Sequence, residues 1–320
     1  MAKLASKKVI YAALAGNSLI AVMKFAAAAV TGSSAMFSEA IHSLVDTGNQ
    51  WLLLYGIRRA QRPADAEHPF GYGMEIYFWT FVVAILIFAV GAGVAIYEGV
   101  TKLLNPHPIT APYVNYAVLA VAMVFEAGAW WIAFREFRKT KGSLGYLAAV
   151  RASKDPAIFT VLFEDSAAML GLVVAMAGIA LGEYLGVPEM DGAASILIGL
   201  ILAAVAAFLA HESKGLLIGE SARQEVVDGI ERIVAGQPGI VAINEARTMH
   251  LGPEDVLLNL SLDFADHLSS AEVEAAISQL ERTIKSAFPE VTRVFIEAQS
   301  LIGHEESRRR ATLQSSETGP

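Results

Sequence analysis

The sequence predicts a membrane α-helical protein of six transmembrane helices, followed by a C-terminal α+β domain with the ferredoxin-like order α-β-β-α-β. Three observations carry that prediction. The chain is 54% hydrophobic and only 18% charged, whereas a soluble domain carries about 25% charged residues. Six segments, roughly 9–31, 34–57, 75–98, 112–134, 157–182 and 192–212, are apolar over a bilayer-spanning length, which takes about 20 residues. Beyond about residue 212, charged and apolar residues alternate as in an ordinary soluble domain. The expected organisation is a membrane domain over 1–212, an α/β domain over 213–300 and a disordered tail over 301–320.

The net charge of −8 averages these two unlike halves. The first segment follows MAKLASKK without a cleavage site, and is expected to be retained as a span. Connections between spans alternate in character. Lys3, Lys7 and Lys8 precede the first span, Arg58, Arg59 and Arg62 follow the second, and Arg135, Arg138, Lys139, Lys141, Arg151 and Lys154 lie between the fourth and fifth. The opposite loops hold Lys102 alone. Basic loops face the cytoplasm, so both termini and the α+β domain are expected inside.

In the C-terminal part, residues 223–234 read as a helix ended by Gly236-Gln237-Pro238-Gly239. A strand is expected over 240–250. Val256, Leu258, Leu260, Leu262 and Phe264 then recur with the period of two that marks a strand with one buried face. Ser269 followed by Glu272 is a capping-box signature, opening a helix with the stripe Val273, Ile277, Leu280, Ile284 and Phe288. Pro289 ends it, and Val291–Ala298 supplies a third strand. The polar run EESRRRATLQSSETGP that follows is expected to be disordered.

Four ionisable side chains interrupt the apolar segments: His42 and Asp46 in the second, Glu164 and Asp165 in the fifth. A charge at the bilayer centre costs about 2.5–3.5 kcal/mol on insertion scales, so such groups read as functional by default. Residues four apart share a helix face, which brings the heads of His42 and Asp46 within chelating reach. Glu39 and Asn49 flank that face. Asp46 lies about 18 Å into its span at 1.5 Å per residue, near the midplane. With no cysteine in the chain, a metal would be held by N and O atoms, a set that suits Zn²⁺, Fe²⁺, Co²⁺ or Mn²⁺ better than Mg²⁺ or Ca²⁺. The plainer alternative is that these groups hydrogen-bond within the bundle and set helix register. Lys24 and Glu126 are lone charges, each expected to snorkel or to make one helix–helix contact.

SEAIHSLVDTGNQ in the second span, EHPFGYGMEIYFW leading into the third, FEDSAAMLG in the fifth and the α+β domain together resemble the cation diffusion facilitator family over almost the whole chain. The resemblance implies a homodimeric six-span transporter that exports a divalent metal cation from the cytoplasm in exchange for protons. It implies that His42, Asp46 and Asp165 are transport-site ligands and that Zn²⁺ is the first cargo to expect. Zinc-type members carry a histidine four residues before the span-five aspartate, where this chain has Val161. Glu164, Asn17 or a water would then complete the shell, and an added oxygen ligand admits Mn²⁺ or Fe²⁺. Asp65, Glu67 and His68 match a second family site, with Tyr72 in place of its second histidine. His250 and Glu297 match regulatory ligands of the α+β domain, but Ser261 and Gln299 stand where others are expected, so that domain is read mainly as a dimerisation module.

Histidine and aspartate bind metal when deprotonated, so loading the site releases protons and protonation expels metal. The competing readings are a metal-sensing or scaffold membrane protein that binds without transport, a carrier of protons or organic cations, and a membrane enzyme. The last lacks H-E-x-x-H, G-x-S-x-G and a nucleophile paired with a base. The chain is therefore read as a non-enzyme without a resident cofactor. Its expected partners are the lipid bilayer, divalent metal ions, protons and a second copy, with no nucleic acid. The expected location is a bacterial inner membrane.

Overall fold

A computed structural model of the chain describes residues 2–141, 145–154 and 156–317. The chain forms two compact units, one from residues 1–63 and 74–215 and the other from residues 64–73 and 216–320.

The first unit is helical: α1 (Ala2–Thr31), α2 (Ser34–Ala60), α3 (Glu75–Leu86), α4 (Gly93–Leu104), α5 (Pro112–Thr140), α6 (Tyr146–Ala152), α7 (Pro156–Leu185) and α8 (Glu189–Ile218). A π-helical turn, Ile87–Ala92, joins α3 to α4. Among the described residues four runs are long and apolar enough to cross a membrane: Glu75–Leu104, Pro112–Arg135, Phe159–Leu185 and Glu189–Ile218. The apolar stretch of α1, Gly16–Thr31, is shorter. Helix α2 has the length but is studded with polar residues. Its buried stripe includes Ser38, Glu39, His42, Ser43, Asp46 and Asn49, while Leu44, Trp51 and Tyr55 point outward and are exposed. That is the reverse of a soluble amphipathic helix, whose apolar stripe faces the core. Small residues let the other helices approach closely: a Cβ at Gly99 of α4 would overlap the Gly192 carbonyl of α8.

Three boundaries differ from expectation. The basic connection after α5 contains the short helix α6, because YLAAVRA is a good helix-forming run. Lys102, expected in an outer loop, lies in α4 and is buried. Asp191, expected ahead of the sixth segment, is in the first turn of α8. The side chains of Lys3, Lys7, Lys8, Lys139 and Arg151, read above as basic loop residues, lie outside the described part.

The second unit contains α9 (Gln224–Ala235), β1 (Ile240–Gly252), β2 (Asp255–Phe264), α10 (Ser270–Ala287), β3 (Val291–Ala298) and α11 (Leu301–Glu317). The sheet order is β1-β2-β3, with β1 antiparallel and β3 parallel to β2. Val256, Leu258, Leu260 and Leu262 of β2 are buried with Val226, Ile230 and Val234 of α9 and Leu280 and Ile284 of α10. The capping box forms: Ser269 Oγ accepts from Glu272 N, and Ser269 N donates to Glu272 Oε2. Where a disordered tail is expected from 301, the structure has α11. Ser300 Oγ accepts from Gly303 N at 3.2 Å and Leu301 N donates to Asp263 Oδ2 at 3.2 Å, so hydrogen bonds anchor its first turn. Residues 318–320 of that tail lie outside the described part.

The connection between α2 and α3 belongs to this second unit. Arg293 Nη2 donates to the Phe70 carbonyl at 3.0 Å, its guanidinium lies 5.6 Å from the Phe70 ring centre, and its Nη1 donates to both oxygens of Asp255. Gly73 is packed so closely that a Cβ there would overlap the Leu251 carbonyl.

Candidate metal site

The helical repeat does at α2 what the spacing requires. His42 Nδ1 and Asp46 Oδ1 lie 3.3 Å apart, with the two residues 1% and 7% exposed. They are close enough for an ion pair but not aligned as a hydrogen bond. Both His42 ring nitrogens and Asp46 Oδ1 are buried without a hydrogen-bond partner. Helix α7 supplies Glu164 and Asp165, both buried. Their side chains diverge, as neighbours on a helix do, by about 100°. Glu164 Oε1 accepts from Asn49 Nδ2 of α2 at 2.8 Å, whereas Asp165 Oδ2 has no hydrogen-bond partner. Asp46, His42 and Glu126 of α5 all lie within electrostatic reach of Asp165. A buried polar atom without a partner costs about 1–3 kcal/mol, and here four such atoms share one polar region of the bundle.

Electrostatic proximity is not a closed coordination shell. Among the described residues no three His, Asp or Glu side chains are gathered tightly enough to hold a metal ion. His42 and Asp46 are preset by one helix, and Asp165 faces them from another. Val161, where a histidine would complete a zinc-type set, is partly buried against the apolar core. Asn17 is half-buried on α1, two turns before Lys24.

Of the other expected ligands, Asp65, His68 and His250 have structural partners. Asp65 Oδ1 accepts from the backbone N–H groups of Glu67 and His68, and its Oδ2 accepts from Tyr72 Oη at 2.6 Å. These bonds, the Tyr72 hydroxyl first, hold the Asp65 carboxyl below the usual range. The His68 ring packs on Tyr72 at 4.2 Å. Asp65, Glu67 and His68 therefore form a turn braced by its own carboxylate. The sheet register separates His250 from Glu297. His250 pairs with Val256 and Glu297 with Ser261, five residues or about 16 Å along the strand. His250 Nδ1 lies 3.1 Å from the Gly252 carbonyl, and Glu297 is exposed. One protomer does not bring this pair together.

Sequence reasoning missed two buried ion pairs. Lys24, fully buried, donates to Glu39 Oε2 at 2.9 Å and to Ser43 Oγ at 2.8 Å, so of the two expectations it makes the helix–helix contact, to α2, and does not snorkel. Asp191 accepts from Ser33 Oγ, Ser34 N, Ser34 Oγ and Ala35 N at the start of α2, with Lys102 Nζ 3.6 Å away. The signal for the first was Glu39 on the His42 face. The second left no local signal, because its partners are more than 80 residues apart.

A helical membrane unit that turns acids, an imidazole and a lysine inward, joined to a small α+β domain, defines a membrane protein with a charged bundle interior. Comparison with known proteins agrees. Residues 10–218 match the cation efflux transmembrane domain and residues 222–299 the cation efflux protein cytoplasmic domain. The chain belongs to the cation diffusion facilitator family and is an integral membrane protein. It is 34% identical over 88% of its length to the mitochondrial proton-coupled zinc antiporter SLC30A9 of Xenopus laevis, covering 51% of that protein. It is 27% identical over 81% of its length to metal tolerance protein C4 of Arabidopsis thaliana, covering 57% of it. Against the cation-efflux pump FieF of Cronobacter sakazakii it is 27% identical, covering 90% of each chain. The chain spans about half the length of the antiporter relatives it matches.

Proposed function

We propose that this protein is a proton-coupled exporter of a divalent transition metal cation, with His42, Asp46 and Asp165 as cargo ligands and Glu164 as a nearby acid. The observation that carries this reading is the set of buried, unpartnered metal-ligating atoms on α2 and α7, His42 Nδ1 and Nε2, Asp46 Oδ1 and Asp165 Oδ2. Proton coupling follows from the ligands, since each must lose its proton to bind metal. Closing α7 toward α2, with Asn17 or water filling the shell, would convert the open arrangement into a coordinating one. The names of the antiporter relatives support Zn²⁺, while Val161 leaves an oxygen-rich set compatible with Mn²⁺ or Fe²⁺.

This reading includes six spans, with α1 and α2 crossing the bilayer beside the four apolar runs. It places the basic ends of α2 and α5 and the α+β domain in the cytoplasm. That domain would act in a homodimer, as a ferredoxin-like layer whose β2–α10–β3 crossover lacks the strand that splits the full motif. The membrane is that of a bacterial cell or of an organelle descended from one.

The test is flux into sealed proteoliposomes under an imposed pH gradient, with Zn²⁺, Mn²⁺ and Fe²⁺ supplied separately. Gradient-driven movement of one metal is expected, and its loss in folded D46A and D165A. Normal flux in either variant overturns the ligand assignment. Metal binding without flux would favour a sensing or scaffold protein.

A further inference from the structure

The Lys24 pair has a place along the cargo path. Glu39 precedes Asp46 by seven residues on α2, and Gly171 follows Asp165 by six on α7. At 1.5 Å per residue those offsets are about 10 Å and 9 Å. Both run toward the end of the bundle where α1 turns into α2, away from Arg58 and Arg59. At that level three helices close together. Lys24 of α1 donates to Glu39 Oε2 and Ser43 Oγ of α2, and a Cβ on Gly171 of α7 would overlap Glu39 Oε1. Lys24 and Glu39 are 0% exposed and Ser43 is 2% exposed. The second carboxylate oxygen, Glu39 Oε1, is buried with no hydrogen-bond partner.

We propose that Lys24, Glu39 and Ser43, packed against Gly171, form the outward gate of the cation path, with the Lys24 ammonium as a tethered cation seated on Glu39. This rests on the cargo site proposed above. While the buried pair is intact, its two fixed charges satisfy each other and offer a passing proton or metal ion no free ligand in this layer. The ammonium also occupies the carboxylate that would otherwise hold a departing metal, so cargo leaves only as the pair parts. Glycine at 171 lets α7 lie directly against the carboxylate.

The charges make the role testable, because the two single variants push a bound cation in opposite directions. In full-length protein in nanodiscs, K24Q frees Glu39, and the Zn²⁺ dissociation constant is expected to fall about tenfold while flux drops. E39Q leaves the ammonium unopposed, and the constant is expected to rise about tenfold. K24R should stay within about threefold of wild type. K24Q/E39Q leaves no unpaired charge to unfold the bundle. It is expected to bind within about threefold of wild type but to leak, collapsing an imposed pH gradient at least about fivefold faster in the absence of metal. Equal shifts of one sign in both single variants, or a double variant as proton-tight as wild type, overturn the gate. Absence of Zn²⁺, Mn²⁺ and Fe²⁺ binding in the wild type would overturn the cargo site itself, a distinct result.

Discussion

Replacing Asp191 with alanine removes the carboxylate that holds the start of α2 to α8. Asp191 is 1% exposed and accepts from Ser33 Oγ at 2.6 Å, Ser34 N at 2.7 Å, Ser34 Oγ at 3.1 Å and Ala35 N at 3.3 Å, with the buried Lys102 ammonium 3.6 Å away. It also places a negative charge at the positive end of the α2 dipole. Removing one partner of a buried ion pair costs about 3–5 kcal/mol, mostly from the charge left behind. Lys102 keeps the Gly32 carbonyl at 2.9 Å, which softens that loss. The freed backbone N–H groups add about 1 kcal/mol, as for a lost N-cap. An expected total of about 4 kcal/mol, at about 2–4 °C per kcal/mol for a unit of this size, lowers the unfolding midpoint by about 8–16 °C. Thermal unfolding in detergent, followed by circular dichroism, reads this directly. Asp191→Asn keeps one acceptor oxygen and should lose about half as much. A midpoint within about 2 °C of wild type for the alanine variant would refute the assignment of this carboxylate as the tie between the helices.

Val161→His puts an imidazole one turn before Asp165, and the ratio of Zn²⁺ to Mn²⁺ flux should rise about tenfold, or about 1.4 kcal/mol; an unchanged ratio rejects Val161 as a selectivity determinant. Arg293→Ala removes the contacts to Asp255 and Phe70; with the pair 28% and 27% exposed, the loss is set at about 1–2 kcal/mol. Proteolysis within residues 64–73 should quicken about 5–30-fold, and unaltered cleavage would mean the loop is held by other contacts. The pH dependence of that loop follows from Asp65. Its folded pKa is lowered, so its contribution to loop order is complete above the unfolded value near 4 and is lost as pH falls through the lower folded value. Tyr72→Phe removes the largest cause of the shift. The acid transition in hydrogen exchange of residues 64–73 should then move upward toward pH 4, and a transition at the wild-type pH contradicts the bond's role.

Much of the site was legible because it is local. His42 and Asp46 had to share a face once their segment was helical, since a repeat of 3.6 residues leaves no other choice. Ser269 and Glu272 were readable for the same reason. Polarity predicts disorder over 301–320, whereas over 301–317 Ser300 and Asp263 supply the hydrogen bonds that start a helix. The separation of His250 from Glu297 was not legible in the same way. Both lie on expected strands, but strand register is set by the bulges and turns of the whole sheet. For Lys24 the helix–helix contact is the alternative that holds, but its partner is not legible, because Glu39 and Ser43 lie on another helix.

Alone, the sequence determined the long apolar helices, the composition break that separates the two parts, and the acid–imidazole stripe of α2. Each follows from side-chain periodicity and the cost of placing charge in lipid. Only the tertiary structure decided that Lys24 is the partner of Glu39, that Asn49 holds Glu164 while Asp165 stays open, and that Asp191 caps a helix 157 residues earlier in the chain. Such partners are chosen by which helix faces pack against one another. A buried charge selects from whatever the packing brings within about 4 Å, and sequence distance has no bearing on that choice.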